Sequence, residues 1–208
     1  MNLSQIGDKH GTAKNTHVSF GKTLLDIYEK YFELIRYLPL DIMEIGILNG
    51  ASLYTWKEYF TNANLFGIDI NPPRIKDDRI TVFKGDQGNV IDLVNIYDKM
   101  KLKEIGATLD IVIDDGSHIN QYTLDTFDFF WDKLGHGGLY IIEDLICTYD
   151  KASMEWPGMQ YNTQGVDLNN KREDFDKFLL NHLRAMDFDQ SEIYFMHFYR
   201  NVVIMKKA

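Results

Sequence analysis

The sequence predicts an α/β fold: a Rossmann-like seven-stranded sheet, mostly parallel with an antiparallel last strand, and helices on both faces. Three observations carry that expectation. Apolar runs of strand length alternate with segments of helical period, the order required by a parallel sheet covered on both faces. Two of the runs, LDIVIDD and LYIIED, break into acids at their carboxyl ends. The chain closes on SEIYFMHF and NVVIMKK, separated by Tyr199 and Arg200, which read as an antiparallel hairpin.

A length of 208 residues is consistent with a single domain, 1–208, able to bury a full core. The net charge of -9 argues against a nonspecific nucleic-acid partner, which needs a basic face to neutralise phosphates. A single cysteine, Cys147, excludes an intramolecular disulfide framework. No apolar run has membrane-spanning length, and the N-terminus lacks the apolar core of a secretory signal. The default expectation is therefore a cytoplasmic protein with no membrane and no nucleic-acid partner.

Taken in order, the opening IGDKHGTAKNTH is polar and glycine-punctuated, with Lys9, His10, Lys14 and His17 close together. It reads as a basic loop, or more sharply as a flap over a ligand. Over residues 20–37 the apolar positions recur at helical period, and Pro39 ends that helix, so 1–40 forms an N-terminal flap and helix. DIMEIGILNGASLYTW predicts a strand, a glycine turn and a helix opening near Ala51 or Ser52. Gly46 and Gly50 suit a backbone that must pass close to a ligand or to the next helix. The third glycine of a dinucleotide fingerprint is missing. Glu44 lies within the last turn of the strand, where an acid is costly without a donor.

NLFGIDINP predicts strand two, closed by Asp69. An acid about 20 residues past the glycine turn accepts ribose hydroxyls in nucleotide-binding α/β folds; the alternative is a loop aspartate before Pro72 and Pro73. RITVFKGDQGN predicts strand three, ending in Gly85 and in Asp86, which suits an adenine edge or a turn. Helices over 90–105 and 120–134 flank LDIVIDDGSH, and LYIIEDL follows as a parallel neighbour. Asp114, Asp115, His118, Glu143 and Asp144 then meet at one rim, where open α/β sheets bind ligands. Residues 146–170 break all periodicity while carrying Tyr149, Trp156, Met159 and Tyr161, which predicts a substrate-covering insert or a subunit face. A helix over 171–186 precedes the hairpin.

In this order and spacing, the turn EIGILNGAS, the acid of GIDI, the acid of KGDQGN and the acidic pair after strand four resemble a class I S-adenosylmethionine-dependent methyltransferase, over roughly 41–206. More narrowly, DKHGT, DDGSH and IEDL resemble the metal-dependent sugar O-methyltransferases of the macrocin and mycinamicin type and the related cephalosporin-hydroxylase group. That resemblance implies that Asp115 and Asp144 bind magnesium and that His118 is the base.

It also implies S-adenosyl-L-methionine as cofactor. Its methionine end would meet the turn, with Glu44, Gly46, Asn49 and Ser52; its ribose would meet Asp69, its adenine Asp86 and its amine Asp114. Carboxylate oxygens suit a hard ion, Mg2+ first, with Mn2+ or Ca2+ as alternatives. Glu143 alternates with Asp144 along an extended strand, so it joins the metal only where the chain has already turned. Four acids and a histidine gathered at one edge would repel one another without a cation or a bound ligand. A negative cleft fits a cationic sulfonium better than a pyrophosphate. The function expected is O-methylation of a sugar hydroxyl on a glycan or glycosylated small molecule. A catechol-type phenol acceptor, a hydroxylase-like or nucleotide-dependent oxidoreductase, and a non-catalytic binding module are the alternatives. The insert and the first helix could supply a homo-oligomer face.

Overall fold

The computed structural model describes residues 1–15, 21–149 and 170–208. Its seven strands are β1 Asp41–Ile45, β2 Asn64–Asp69, β3 Ile80–Lys84, β4 Leu109–Asp114, β5 Leu134–Ile142, β6 Ile193–Tyr199 and β7 Val202–Lys207. They form one sheet in the order β3-β2-β1-β4-β5-β7-β6. Strands β1 to β5 pair in parallel, whereas β7 lies antiparallel to both β5 and β6. The order reverses at β1 and β4, which opens a crevice at the carboxyl ends of the strands. Ile45 stands opposite Asp114, and Asp114 opposite Ile142, so the tips of β1, β4 and β5 end side by side.

Helices α1 Leu3–His10, α2 Leu24–Phe32 and α3 Ala51–Tyr59 cover one face, where Leu25, Tyr28, Phe32 and Trp56 pack against Ile42, Ile111 and Ile141. Helices α4 Val90–Met100, α5 Asn120–Trp131 and α6 Arg172–Asp187 cover the other, where Phe127, Phe130 and Phe175 meet Met43, Val112 and Tyr140. Alternate residues of one strand thus enter opposite cores, which explains the near-continuous apolar runs. Among the described residues, no helix is long and apolar enough to cross a membrane.

The N-terminal segment departs from the sequence reading. The first part of the expected loop is helix α1, opened by a reciprocal Asn2 and Gln5 capping box and closed by Gly11 in the left-handed conformation. Gly7 lets α1 lie against α2, since a Cβ there would collide with the Leu25 Cδ1 methyl. The helix expected over 20–37 opens at a second capping box, Thr23 with Asp26, and tightens into a 3-10 turn at Glu33–Ile35. The helix expected over 90–105 ends at Met100, where Lys101 turns left-handed before a 3-10 turn at Lys103–Ile105. His17, Trp156, Met159 and Tyr161 lie outside the described residues.

Phe127 joins α5 to β5 and α6: its ring centre lies 4.9 Å from those of Trp131 and Tyr140 and 4.8 Å from that of Phe178. Phe127→Ala should lower the unfolding free energy by about 3–5 kcal/mol in urea titrations. A loss below about 1 kcal/mol would mean that the three elements are not locked together through this ring.

Candidate active site

The turn after β1 forms one wall of the crevice. Gly46 has φ 79°, and its amide donates to the Ile68 carbonyl at 2.8 Å. Asp69 clasps the same turn: Oδ2 accepts from the amides of Ile47 at 3.1 Å and Leu48 at 3.0 Å, while Oδ1 accepts from Asn71 at 2.8 Å. A Cβ on Gly46 would land on the backbone carbonyl of Asp115, so this glycine lets the β1 turn lie against the loop after β4.

Ile45, Gly46, Ile68, Asp69, Asp86, Gln87, Gly116 and Ser117 are among the residues lining a cleft of about 270 Å³. Beneath it, buried Asp114 accepts Gln87 Nε2 on both oxygens at 2.8 Å, and Gly116 N on Oδ1 at 3.2 Å. Burial pushes the Asp114 carboxyl up to about 7, against the pull of Gln87. Gln87 Oε1 accepts from Ser117 N at 2.8 Å, tying the tip of β3 to the DDGSH loop.

At the rim, one ligand atom each from Asp115, His118 and Asp144 lies within 4.8 Å of the others. His118 Nε2 is 3.6 Å from Asp144 Oδ2, too far for a hydrogen bond. His118 and Asp144 have φ values of 57° and 51°, a left-handed backbone that side-chain-bearing residues rarely adopt. Two asparagines hold them there. Asn170 Nδ2 donates to the His118 carbonyl at 2.8 Å, and Asn201 Nδ2 donates to Asp144 Oδ1 at 2.5 Å.

Behind the rim lies a buried ionic cluster. Lys14 Nζ is 2.6 Å from Asp115 Oδ2, 2.7 Å from Glu143 Oε1 and 3.2 Å from Glu44 Oε1. Tyr28 donates to Glu143 Oε1 at 2.7 Å, while Ser52 and Trp56 donate to Glu44 Oε2 at 2.7 and 3.1 Å. Burial alone would lower the Lys14 pKa, but the Asp115, Glu143 and Glu44 charges together hold it well above the ordinary lysine value. Burial and the neighbouring Asp115 charge raise Glu143 to about 8, against the pull of Lys14. The repulsion expected among the gathered acids is thus relieved in part by a cation of the protein itself.

Of the residues proposed for the cofactor, Gly46, Asp69 and Asp86 line the cleft. Glu44 and Ser52 bond to each other in the ionic cluster, Asn49 Oδ1 accepts from Ala51 N at the start of α3, and Asp114 lies under the floor. Asp86 also closes its own turn, Oδ1 accepting from Gly88 N at 2.8 Å. Glu143 belongs to the Lys14 cluster and lies outside the rim trio. Gln87, Tyr28, Asn170 and Asn201 were not anticipated. Only Gln87 carried a local signal, standing beside Asp86 at a strand end.

No family model matches the chain. It is 33% identical to the 8-demethyl-8-alpha-L-rhamnosyl tetracenomycin-C 2'-O-methyltransferase of Streptomyces olivaceus, over 76% of this chain and 40% of that protein. It is 28% identical to the mycinamicin VI 2''-O-methyltransferase of Micromonospora griseorubida, over 99% of this chain and 52% of the relative. The structure of the MycE methyltransferase of the mycinamycin biosynthetic pathway, in complex with Mg, SAH and mycinamycin VI, superposes with a TM-score of 0.75 at 27% identity, over all of this chain and 55% of that one. The chain therefore spans about half the length of these relatives.

Gly46→Ala should cost about 2–5 kcal/mol in denaturant unfolding, combining left-handed strain with a backbone collision. Gly50→Ala, whose added methyl meets chiefly the movable Ile75 Cδ1, should cost about 1–2 kcal/mol. Equal losses would contradict the close approach of the β1 turn to Asp115.

Proposed function

We propose that this chain, which has the fold of the class I S-adenosylmethionine-dependent methyltransferases and resembles the sugar O-methyltransferases of the macrocin and mycinamicin type, methylates a sugar hydroxyl of a glycan or glycosylated small molecule. The observation that carries this reading is the trio of Asp115, His118 and Asp144 at the tips of β4 and β5, next to the cleft at the reversal of strand order.

The two carboxylates fit a hard divalent cation, Mg2+ before Mn2+ or Ca2+. The side chains of Asp115 and Asp144 are each 26% exposed, so they can reach a ligand while their backbones stay fixed. Such an ion, when bound, would orient vicinal hydroxyls and stabilise developing alkoxide charge. His118 stands beside both carboxylates without a hydrogen bond to either, and an imidazole so placed can take the hydroxyl proton.

In the cleft, S-adenosyl-L-methionine would supply an electrophilic methyl group. Asp69 lines the wall while its oxygens hold the turn, and a carboxylate there would accept ribose hydroxyls. Asp86, on the lining of the cleft, would meet the adenine, and the Gly46 turn would meet the methionine portion. Asp114 and Gln87 act through the floor, fixing the Ser117 amide and hence the DDGSH loop. Holding acceptor and methyl in line is the main catalytic task of such a site, and positioning alone reaches effective molarities of about 10⁵ M or more.

Incubation with labelled S-adenosyl-L-methionine and a panel of glycosides bearing vicinal hydroxyls should transfer label to a sugar oxygen. Chelation should stop turnover and Mg2+ should restore it; full turnover after chelation excludes the metal. His118→Ala should lower kcat by about 10²–10⁴-fold while calorimetric affinity for S-adenosylhomocysteine stays within about threefold. A parallel loss of cofactor affinity would assign His118 a structural role instead.

A further inference from the structure

Among the described residues, no hydrogen bond reaches the His118 imidazole, whose Nε2 stands 3.6 Å from Asp144 Oδ2. The ring therefore takes its direction from the backbone, which at this residue is left-handed with φ 57°. Two anchors flank it. On the near side, Ser117 N donates to Gln87 Oε1 at 2.8 Å and Asp115 N to the Ile45 carbonyl at 2.9 Å. On the far side, a single side chain takes both polar groups that bracket Ile119: Asn170 Nδ2 donates to the His118 carbonyl at 2.8 Å, and Asn170 Oδ1 accepts from Asn120 N at 3.0 Å. Two successive peptide planes are thus fixed by one amide group.

A second bond from Asn170 Nδ2, to the Cys147 carbonyl at 2.7 Å, refers that frame to the turn after β5, where Cys147 N donates to the Asp144 carbonyl at 2.8 Å. Asn170 is 5% exposed, so these bonds are shielded from water. A left-handed residue with a side chain relaxes toward negative φ wherever its flanks allow it. With the far anchor gone, His118 is free to do so, and its Cα–Cβ bond swings with it. Asn120 supplies the comparison. It is 3% exposed and its Nδ2 donates to the Thr148 and Lys171 carbonyls at 2.9 Å each, in the same layer, yet its side chain puts no bond on His118.

We infer that Asn170 is a positioning residue for His118: by tying the His118 carbonyl to the turn after β5, it keeps the imidazole beside Asp115 and Asp144. The inference rests on His118 being the base of the reaction proposed above and adds to it the group that aims the ring.

The test compares Asn170→Ala with Asn120→Ala in the full chain. Each variant loses two buried donor bonds to backbone carbonyls, so a loss of stability alone does not separate them. Ring 13C NMR of histidine-labelled protein, with the His118 line identified by its disappearance in His118→Ala, reads the imidazole without any need for turnover. Asn170→Ala should move that line and Asn120→Ala should leave it in place. In the glycoside methylation assay, Asn170→Ala should lower kcat by about 10–100-fold while acceptor KM and S-adenosylhomocysteine affinity stay within about threefold, and Asn120→Ala should keep kcat within about threefold. Added to His118→Ala, Asn170→Ala should cost no further kcat, because a residue that acts only through another has nothing left to act on. An unmoved His118 line in Asn170→Ala overturns the inference, as do equal effects of Asn120→Ala or losses that multiply in the double variant. Should Asn170→Ala not fold, Asn170→Asp takes its place, since a carboxylate keeps the acceptor for Asn120 N but has no donor for the two carbonyls; failure of both to fold makes Asn170 structural and overturns the inference. Full kcat in His118→Ala refutes the base reading alone, and the histidine line then decides whether Asn170 aims the ring.

Discussion

The site depends on one buried constraint: a single ammonium, Lys14, set among carboxylates from the tips of β1, β4 and β5. Removing charges from water costs several kcal/mol per ion, and only close opposite charge with well-aimed donors offsets it. Each acid here has such a neighbour. Glu44 receives Ser52 and Trp56, Glu143 receives Tyr28, and all three meet Lys14. The consequence reaches beyond the acids. Lys14 lies in the 3-10 turn Ala13–Asn15 between α1 and α2, so the same contact docks the N-terminal layer against the sheet.

Strand geometry decides which acid does what. Successive side chains of a strand point to opposite faces. Ile42 and Ile111 enter the core under α1–α3, whereas Met43 and Val112 enter the core under α4–α6. Continued to the tips, that alternation sends Glu44, Asp115 and Glu143 toward the α1–α3 side, where Lys14 waits, and Asp114 toward the other, where Gln87 holds it. Asp144 would be lost to the far side as well, but the chain turns left-handed there and swings its carboxylate back beside Asp115. The paired acids DD and ED thus part in space: Asp115 and Asp144 reach the rim, while Asp114 bonds Gln87 and Glu143 bonds Lys14.

Much of this was legible in the sequence, and the limits have physical causes. Strand runs, their order, the terminal hairpin and the convergence of acids at one edge follow from periodicity and turn residues, which are local signals. The role of Lys14 is not local: its three acidic neighbours lie between 30 and 129 residues away, and a lysine in a polar N-terminal stretch has no spacing that marks it as buried. Helix α1 was hidden by its polar composition, although the Asn2 and Gln5 capping box and the Gly11 terminator were there to be read. Glu44 shows the reverse case. Its cost inside a strand was legible, but the donors that meet it, Lys14, Ser52 and Trp56, come from two other elements.

Backbone strain falls on two residues of the rim, which share a positive φ with Leu48, Lys101, Asp189 and Asn201. A left-handed residue with a side chain costs about 1–2 kcal/mol relative to a relaxed one, and glycine would largely avoid that cost. At positions 118 and 144 the chain carries histidine and aspartate instead, two members of the trio, and holds each with an asparagine from a different part of the fold. Asn170 also accepts from Asn120 N and donates to the Cys147 carbonyl, while Asn201 Oδ1 accepts from Ile146 N. Those bonds link the start of α5, the turn after β5 and the β6–β7 hairpin around the two strained residues. Strain persists only where surroundings over-determine it, and such positions cluster at sites that need a side chain in one fixed direction.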